Sequence, residues 1–176
     1  MSETKNDPNN PNVPNERKVN LVSADGETFE VTIKSAEMSE LVKPMVAEDE
    51  DEETEQEIPL PNVKSTVLAK VVEFCNYHVT NGPMKEIEKP LKSANMAEVV
   101  GEWDANFVDI EQEMLFELIL AANYMDIESL LDLTCAKVAS VIKGKTPEEI
   151  RNTFNIVNDF TPEEEAQIRE ENKWCE

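Results

Sequence analysis

The apolar positions change period along the chain, and each change marks an element. Val19 and Leu21, then Phe29, Val31 and Ile33, alternate with polar residues, the period-two pattern of strands with one buried face. Asp25-Gly26 lies between the two runs and predicts a hairpin, because the turn needs positive φ and Asp-Gly supplies it. Residues 35–46 place Ala36, Met38, Leu41, Val42, Met45 and Val46 at helical spacing, with Pro44 near the end. Ile58-Pro59-Leu60-Pro61-Asn62-Val63 must be extended, and its prolines confine it to a sheet edge or a surface strap. Ser65 stands where it can cap a helix bearing Val67, Leu68, Val71, Val72, Phe74 and Cys75, with His78 after it. Residues 79–102 have no clear period and contain Gly82-Pro83 and Pro90, so they read as a long loop. Order restarts at Trp103-Asp104 and leads through Phe107 and Ile110.

The last third is the richest in pattern. Met114 to Met125 is apolar nearly all round, which predicts a buried helix. Asp126 can cap the next helix, with Ile127, Leu130, Leu131, Thr134, Cys135, Val138, Val141 and Ile142 at 3–4 spacing and Gly144 as a stop. Thr146-Pro147-Glu148-Glu149 and Thr161-Pro162-Glu163-Glu164 then write the same helix start twice. Thr caps, Pro takes the first helical position, where its missing N–H costs nothing, and a Glu three residues in can close a capping box. The two short helices bring Ile150, Phe154, Ile156, Phe160, Ile168 and Trp174 with little chain left to cover them. One reading packs them back on the parent domain; the other makes them a docking surface for another protein.

Charge narrows the function. With 16 Lys+Arg against 38 Asp+Glu, a formal charge of −22, nothing here neutralises phosphates, so nucleic acid is not an expected partner. An anionic membrane surface is disfavoured on the same ground. No apolar run reaches transmembrane length and no signal-peptide pattern opens the chain, so a soluble intracellular protein is expected. Residues 1–16, rich in Asn and Pro, are expected to be a disordered tail. Eight acids fall within Glu48–Glu57, read as a solvated mobile loop because nothing there sets a calcium geometry.

Candidate chemistry is sparse. Cys75, Cys135 and Cys175 have neither metal-ligand nor redox spacing, and Cys75 and Cys135 sit on apolar helix faces as expected core thiols. A single histidine, His78, allows no triad and no His-based metal cluster. There is no glycine-rich phosphate loop and no nucleophile elbow. An enzyme is not expected, and neither cofactor nor metal is.

The C-terminal residues resemble a known family. Leu115 to Tyr124, Ile142 to Arg151, Asn158-Asp159-Phe160-Thr161 and Trp174-Cys175-Glu176 are similar to the Skp-type adaptor of SCF ubiquitin ligases. The likeness extends upstream through Asp25-Gly26, Phe29-Glu30-Val31 and Ile58 to Val63. It implies a mixed α+β fold, a BTB/POZ domain over 17–143 with mobile loops at 47–57 and 79–102, and a helical extension over 144–176. It further implies a bridge between two proteins. Asn123 and Tyr124 match the family's cullin-contact pair, and the F-box side corresponds to Val138, Ile142, Ile150, Phe154, Ile156, Phe160 and Trp174.

On this reading the chain is a non-catalytic adaptor in a heteromeric complex, a weak homodimer when free, in cytoplasm and nucleus. Two alternatives stay open at this point. An elongin-C-like adaptor ends near the BTB core, so residues 144–176 speak for the F-box instead. A homodimerising BTB scaffold differs in its oligomeric state.

Overall fold

The computed structural model describes residues 17–47 and 56–175. The tail 1–16, residues 48–55 of the acidic run and Glu176 lie outside them. The described chain runs β1 (Lys18–Ser23), β2 (Thr28–Thr32), α1 (Ile33–Ala36), α2 (Lys43–Ala47), β3 (Glu57–Leu60), α3 (Ser65–Asn81), α4 (Met96–Val99), α5 (Glu102–Phe107), α6 (Gln112–Tyr124), α7 (Glu128–Ile142), α8 (Pro147–Phe154) and α9 (Pro162–Glu171), closing on a 3₁₀ turn at Lys173–Cys175. It divides into two units, Met1–Ser140 and Val141–Glu176. The expected α+β character is what the elements show.

The strands form one sheet in the order β2-β1-β3. In the antiparallel β1–β2 pair Val19 faces Val31 and Leu21 faces Phe29, so the alternating apolar residues share one buried side. β3 joins β1 in parallel at the other edge, where Ile58 and Leu60 turn inward and Pro59 outward. An edge is the position that a strand lacking one N–H can take. At the hairpin the Gly26 N–H donates to the Ser23 carbonyl at 3.0 Å. The left-handed conformation falls on Gly26, φ 82°, and not on Asp25.

That leaves the Asp25 carboxylate free to act elsewhere. It accepts from the Ser65 N–H at 2.7 Å and from the Ser65 hydroxyl at 2.5 Å. Ser65 is therefore the first residue of α3 and not its cap. The capping oxygen comes from the β1–β2 turn, 40 residues earlier, which local pattern cannot reveal. These bonds from Ser65, with help from Ser23, hold the Asp25 carboxyl down from the ordinary 3.8 to about 2.

Three other expectations change. Residues 33–47 form two short helices: the Ser39 hydroxyl donates to the Met125 carbonyl, and the Glu40 N–H donates to the Asp126 carbonyl at 3.2 Å. The chain is thus tied to the turn after α6, and Pro44 opens α2 instead of ending a longer helix. Residues 79–81 complete α3, and Ile87, Met96 and Val100 beyond it are buried in the core. His78 lies within α3 and is buried. Its Nε2 is 2.9 Å from an Asp104 oxygen and its Nδ1 is 3.0 Å from the Gly82 carbonyl. Trp103 stacks on Tyr77 with ring centroids 3.6 Å apart. Together these contacts dock α5 on the end of α3.

Phe74 and Leu68 of α3, Leu118 of α6, and Leu130 and Leu133 of α7 are fully enclosed with Ile58 and Leu60. Cys75 belongs to this core, and burial pushes its thiol up to about 12, far from a reactive thiolate at neutral pH.

Asp25→Ala is expected to lower the melting temperature at pH 7. Because the folded carboxyl titrates lower than the unfolded one, its contribution is present above about pH 4 and lost as pH falls toward about 2. Melting curves across that window should converge for wild type and variant; acid limbs that stay parallel count against the cap.

Candidate docking surfaces

Helix α6 shows two characters. Leu115, Leu118, Ala121 and Ala122 are buried, yet Phe116 is 39% and Leu120 is 69% exposed. The expectation of a helix buried all round is thus corrected. Residues four apart share a face, so Phe116, Leu120 and then Asn123 and Tyr124 continue one another on the surface. Asn123 is exposed, and Tyr124 is half-buried with its ring against the core. Lys64 reaches Glu117 at 2.5 Å beside this stripe, and that hydrogen bond raises the ammonium's pKa.

A Schellman turn holds the C-terminal end of the stripe. The Ile127 N–H donates to the Ala122 carbonyl at 2.9 Å and the Asp126 N–H to the Asn123 carbonyl at 3.3 Å. Asp126 takes the left-handed position, φ 52°. It closes α6, where the sequence suggested it would open α7.

On α7 the buried side is Leu130, Leu133, Thr134 and Ala136, and the Thr134 hydroxyl donates to the Leu130 carbonyl at 2.9 Å. Leu131, Cys135, Val138 and Ile142 follow one another at helical spacing on another side. Cys135 is exposed there and is not the core thiol expected; the other three are half-buried.

In the second unit the repeated helix start is realised twice. The Glu149 N–H donates to the Thr146 hydroxyl at 3.3 Å and the Thr146 N–H to the Glu149 carboxylate at 2.8 Å. In α9 the Glu164 N–H donates to Thr161 at 3.3 Å and the Thr161 N–H to Glu164 at 2.9 Å. The backbone N–H lowers the carboxyl pKa of both Glu149 and Glu164. Arg151 pairs with Glu165 at 3.3 Å and Arg169 with Glu148 at 3.2 Å, joining α8 to α9 across a groove of about 910 Å³ lined in part by Pro147 and Ile168.

Ile150 and Phe154 share the half-buried face of α8. The other three expected residues are open to solvent: Ile156 at 55%, Phe160 at 47% and Trp174 at 81%. Val157, 83% exposed, was not singled out by sequence. Its one local signal in the sequence is the apolar pair Ile156-Val157 between Asn155 and Asn158.

Comparison with known proteins places the chain in a family. The family model described as Skp1 family, tetramerisation domain, matches residues 17–80. The one described as Skp1 family, dimerisation domain, matches residues 128–175. The chain is 59% identical over 160 residues to the S-phase kinase-associated protein 1 homolog of Tetrahymena thermophila, covering 90% of this chain and 94% of that one. SKP1-like protein 1A of Arabidopsis thaliana is 52% identical over 159 residues, covering 90% and 97%. The E3 ubiquitin ligase complex SCF subunit sconC of Arthroderma otae is 49% identical over 159 residues, covering 90% and 94%.

Thr146→Ala and Thr161→Ala should each weaken the helix they cap by about 1 kcal/mol. Amide exchange in the first turns of α8 and α9 should then quicken while β1 is unchanged; unaltered exchange at both helices would show that the boxes contribute nothing.

Proposed function

The chain belongs to the Skp1 family, and from that premise we propose that it is the adaptor subunit of an SCF-type E3 ubiquitin ligase. It joins a cullin scaffold to F-box substrate receptors for ubiquitin-dependent degradation. The observation that carries the reading is one chain with apolar side chains open to solvent in both units. Leu120 and Phe116 lie beside Asn123 and Tyr124 in the first, and Ile156, Phe160 and Trp174 lie in the second. The BTB/POZ-type first unit takes the cullin through the α6 stripe. Val138 and Ile142 of α7, with Ile150, Phe154, Ile156, Phe160 and Trp174, take the F-box.

The mechanism is positioning. An adaptor that holds receptor and scaffold in a set geometry makes transfer to the substrate effectively intramolecular, and no group of this chain takes part in the bond chemistry. The elongin-C-like alternative is not favoured, because the family match runs through residue 175. A weak homodimer of the free chain accords with the exposed rings of the second unit, which a second copy can cover until a receptor replaces it. We assign the chain to cytoplasm and nucleus, compartments whose reducing conditions suit three cysteines without disulfide-framework spacing.

Asn123→Lys with Tyr124→Lys should weaken cullin binding by about 100-fold or more while F-box affinity stays within about threefold, since two ammonium groups would be buried unpaired. Surface plasmon resonance against each partner reads both numbers. Loss of both affinities in a folded variant refutes the division of surfaces. Trp174→Ala should cost about 2–4 kcal/mol of F-box binding with cullin binding intact, and deletion of 161–176 should go further in the same direction. Retained F-box affinity in either variant removes the terminal helices from the clasp.

A further inference from the structure

The stripe on α6 is largely apolar, and its surroundings are predominantly acidic, with Lys64 and Lys89 set among the acids. Helix α6 contains no Lys or Arg. Glu111 and Glu113 are exposed at its start, and Asp126 and Glu128 are exposed just past its end. Glu117 is matched by Lys64, which also feels Glu113, and Lys89, paired with Asp132, feels Glu128. Counting Asp132, six carboxylates against these two ammonium groups keep the rim of the stripe, roughly 16 Å long at 1.5 Å per residue, net negative. At physiological salt the Debye length is about 8 Å. An approaching surface therefore meets the field of each end of the stripe before it meets the apolar centre.

Asp126 is the member that follows Asn123 and Tyr124 most closely in the chain. It occupies the left-handed position after α6, which Gly or Asn fills most easily. Its carboxylate also lies at the negative end of the α6 dipole, where an anion is unfavourable for the helix. The same carboxylate stands just before α7, whose positive end begins at Glu128 and favours an anion, so the two helix dipoles offset one another at this position.

Resting on the adaptor reading, we infer that the surface docking on α6 is cationic around an apolar centre, so that the encounter with the scaffold is electrostatically steered. Leu120 then governs how long the complex lasts, while the acidic ends govern how fast it forms. This division follows from physics: exposed rim charges act on association, and buried apolar contacts act on dissociation.

The test measures association and dissociation rates of the full-length chain on an immobilised cullin, in 50 and 500 mM NaCl. The association rate should fall about tenfold or more between the two salts, within the range that steering supplies, and the dissociation rate should change less than about twofold. Glu113→Lys with Glu128→Lys should slow association about tenfold at 50 mM salt and flatten its salt dependence. Asp126→Asn should slow association by about two- to threefold. Leu120→Ala should act on dissociation instead. An association rate that is flat with salt, or that rises, with binding otherwise intact, overturns the steering while leaving the adaptor reading standing. No binding to cullin by the folded wild-type chain overturns the adaptor reading itself.

Discussion

Helix α6 carries apolar side chains around more of its circumference than its own domain can cover, and the rest of the molecule answers to that constraint. Leu115, Leu118, Ala121 and Ala122 use one side in packing against the interior, where α3 is the principal neighbour. Phe116 and Leu120 remain outside. Burying a Leu side chain contributes roughly 1.5–3 kcal/mol, so an uncovered Leu120 is stabilisation forgone in the free chain and available to a complex. A domain that closed over this helix on every side would be more stable alone and would have no stripe to offer.

The turn after α6 serves both needs. Its Schellman bonds end the helix at the residues that face outward, and the same turn receives the Ser39 hydroxyl and the Glu40 N–H. The position of Asn123 and Tyr124 therefore depends on a segment some 80 residues earlier in the chain (Ser39 and Met125 are 86 positions apart). The aromatic group of Phe74, Tyr77, Trp103 and Phe107 anchors α5 in a comparable way, with His78 and Asp104 bonded beside it. Rigidity of this kind suits an adaptor whose output is a fixed geometry.

The second unit is held by different means. None of the described residues of α8 and α9 is buried, so the hydrophobic effect contributes little within it. Capping boxes, proline at the first turn and two cross-helix ion pairs stand in for a core. Surface ion pairs such as Arg169 with Glu148 contribute only about 0–1 kcal/mol each, and short helices are marginal alone. Such a segment is well defined locally while its rings stay available to a partner.

Features that depend on neighbours in the chain were legible without coordinates. Alternation around Gly26 marked the hairpin, Pro59 marked an edge strand, and two Thr-Pro-Glu-Glu starts marked α8 and α9, because each rests on backbone geometry within a few residues. The family resemblance named residues that the structure leaves exposed or half-buried. What the sequence could not disclose was long-range pairing: the Asp25 oxygen that caps α3, the burial of His78 against Asp104, the split of 33–47 by Ser39, and the core residues within 79–102. Nor could it tell which side of a nearly all-apolar α6 faces inward, or that Cys135 points out. Local order was written in the sequence because turns, caps and strand faces are short-range. Exposure was settled only by tertiary structure, because which apolar side chain is covered depends on how much of the rest of the chain arrives to cover it.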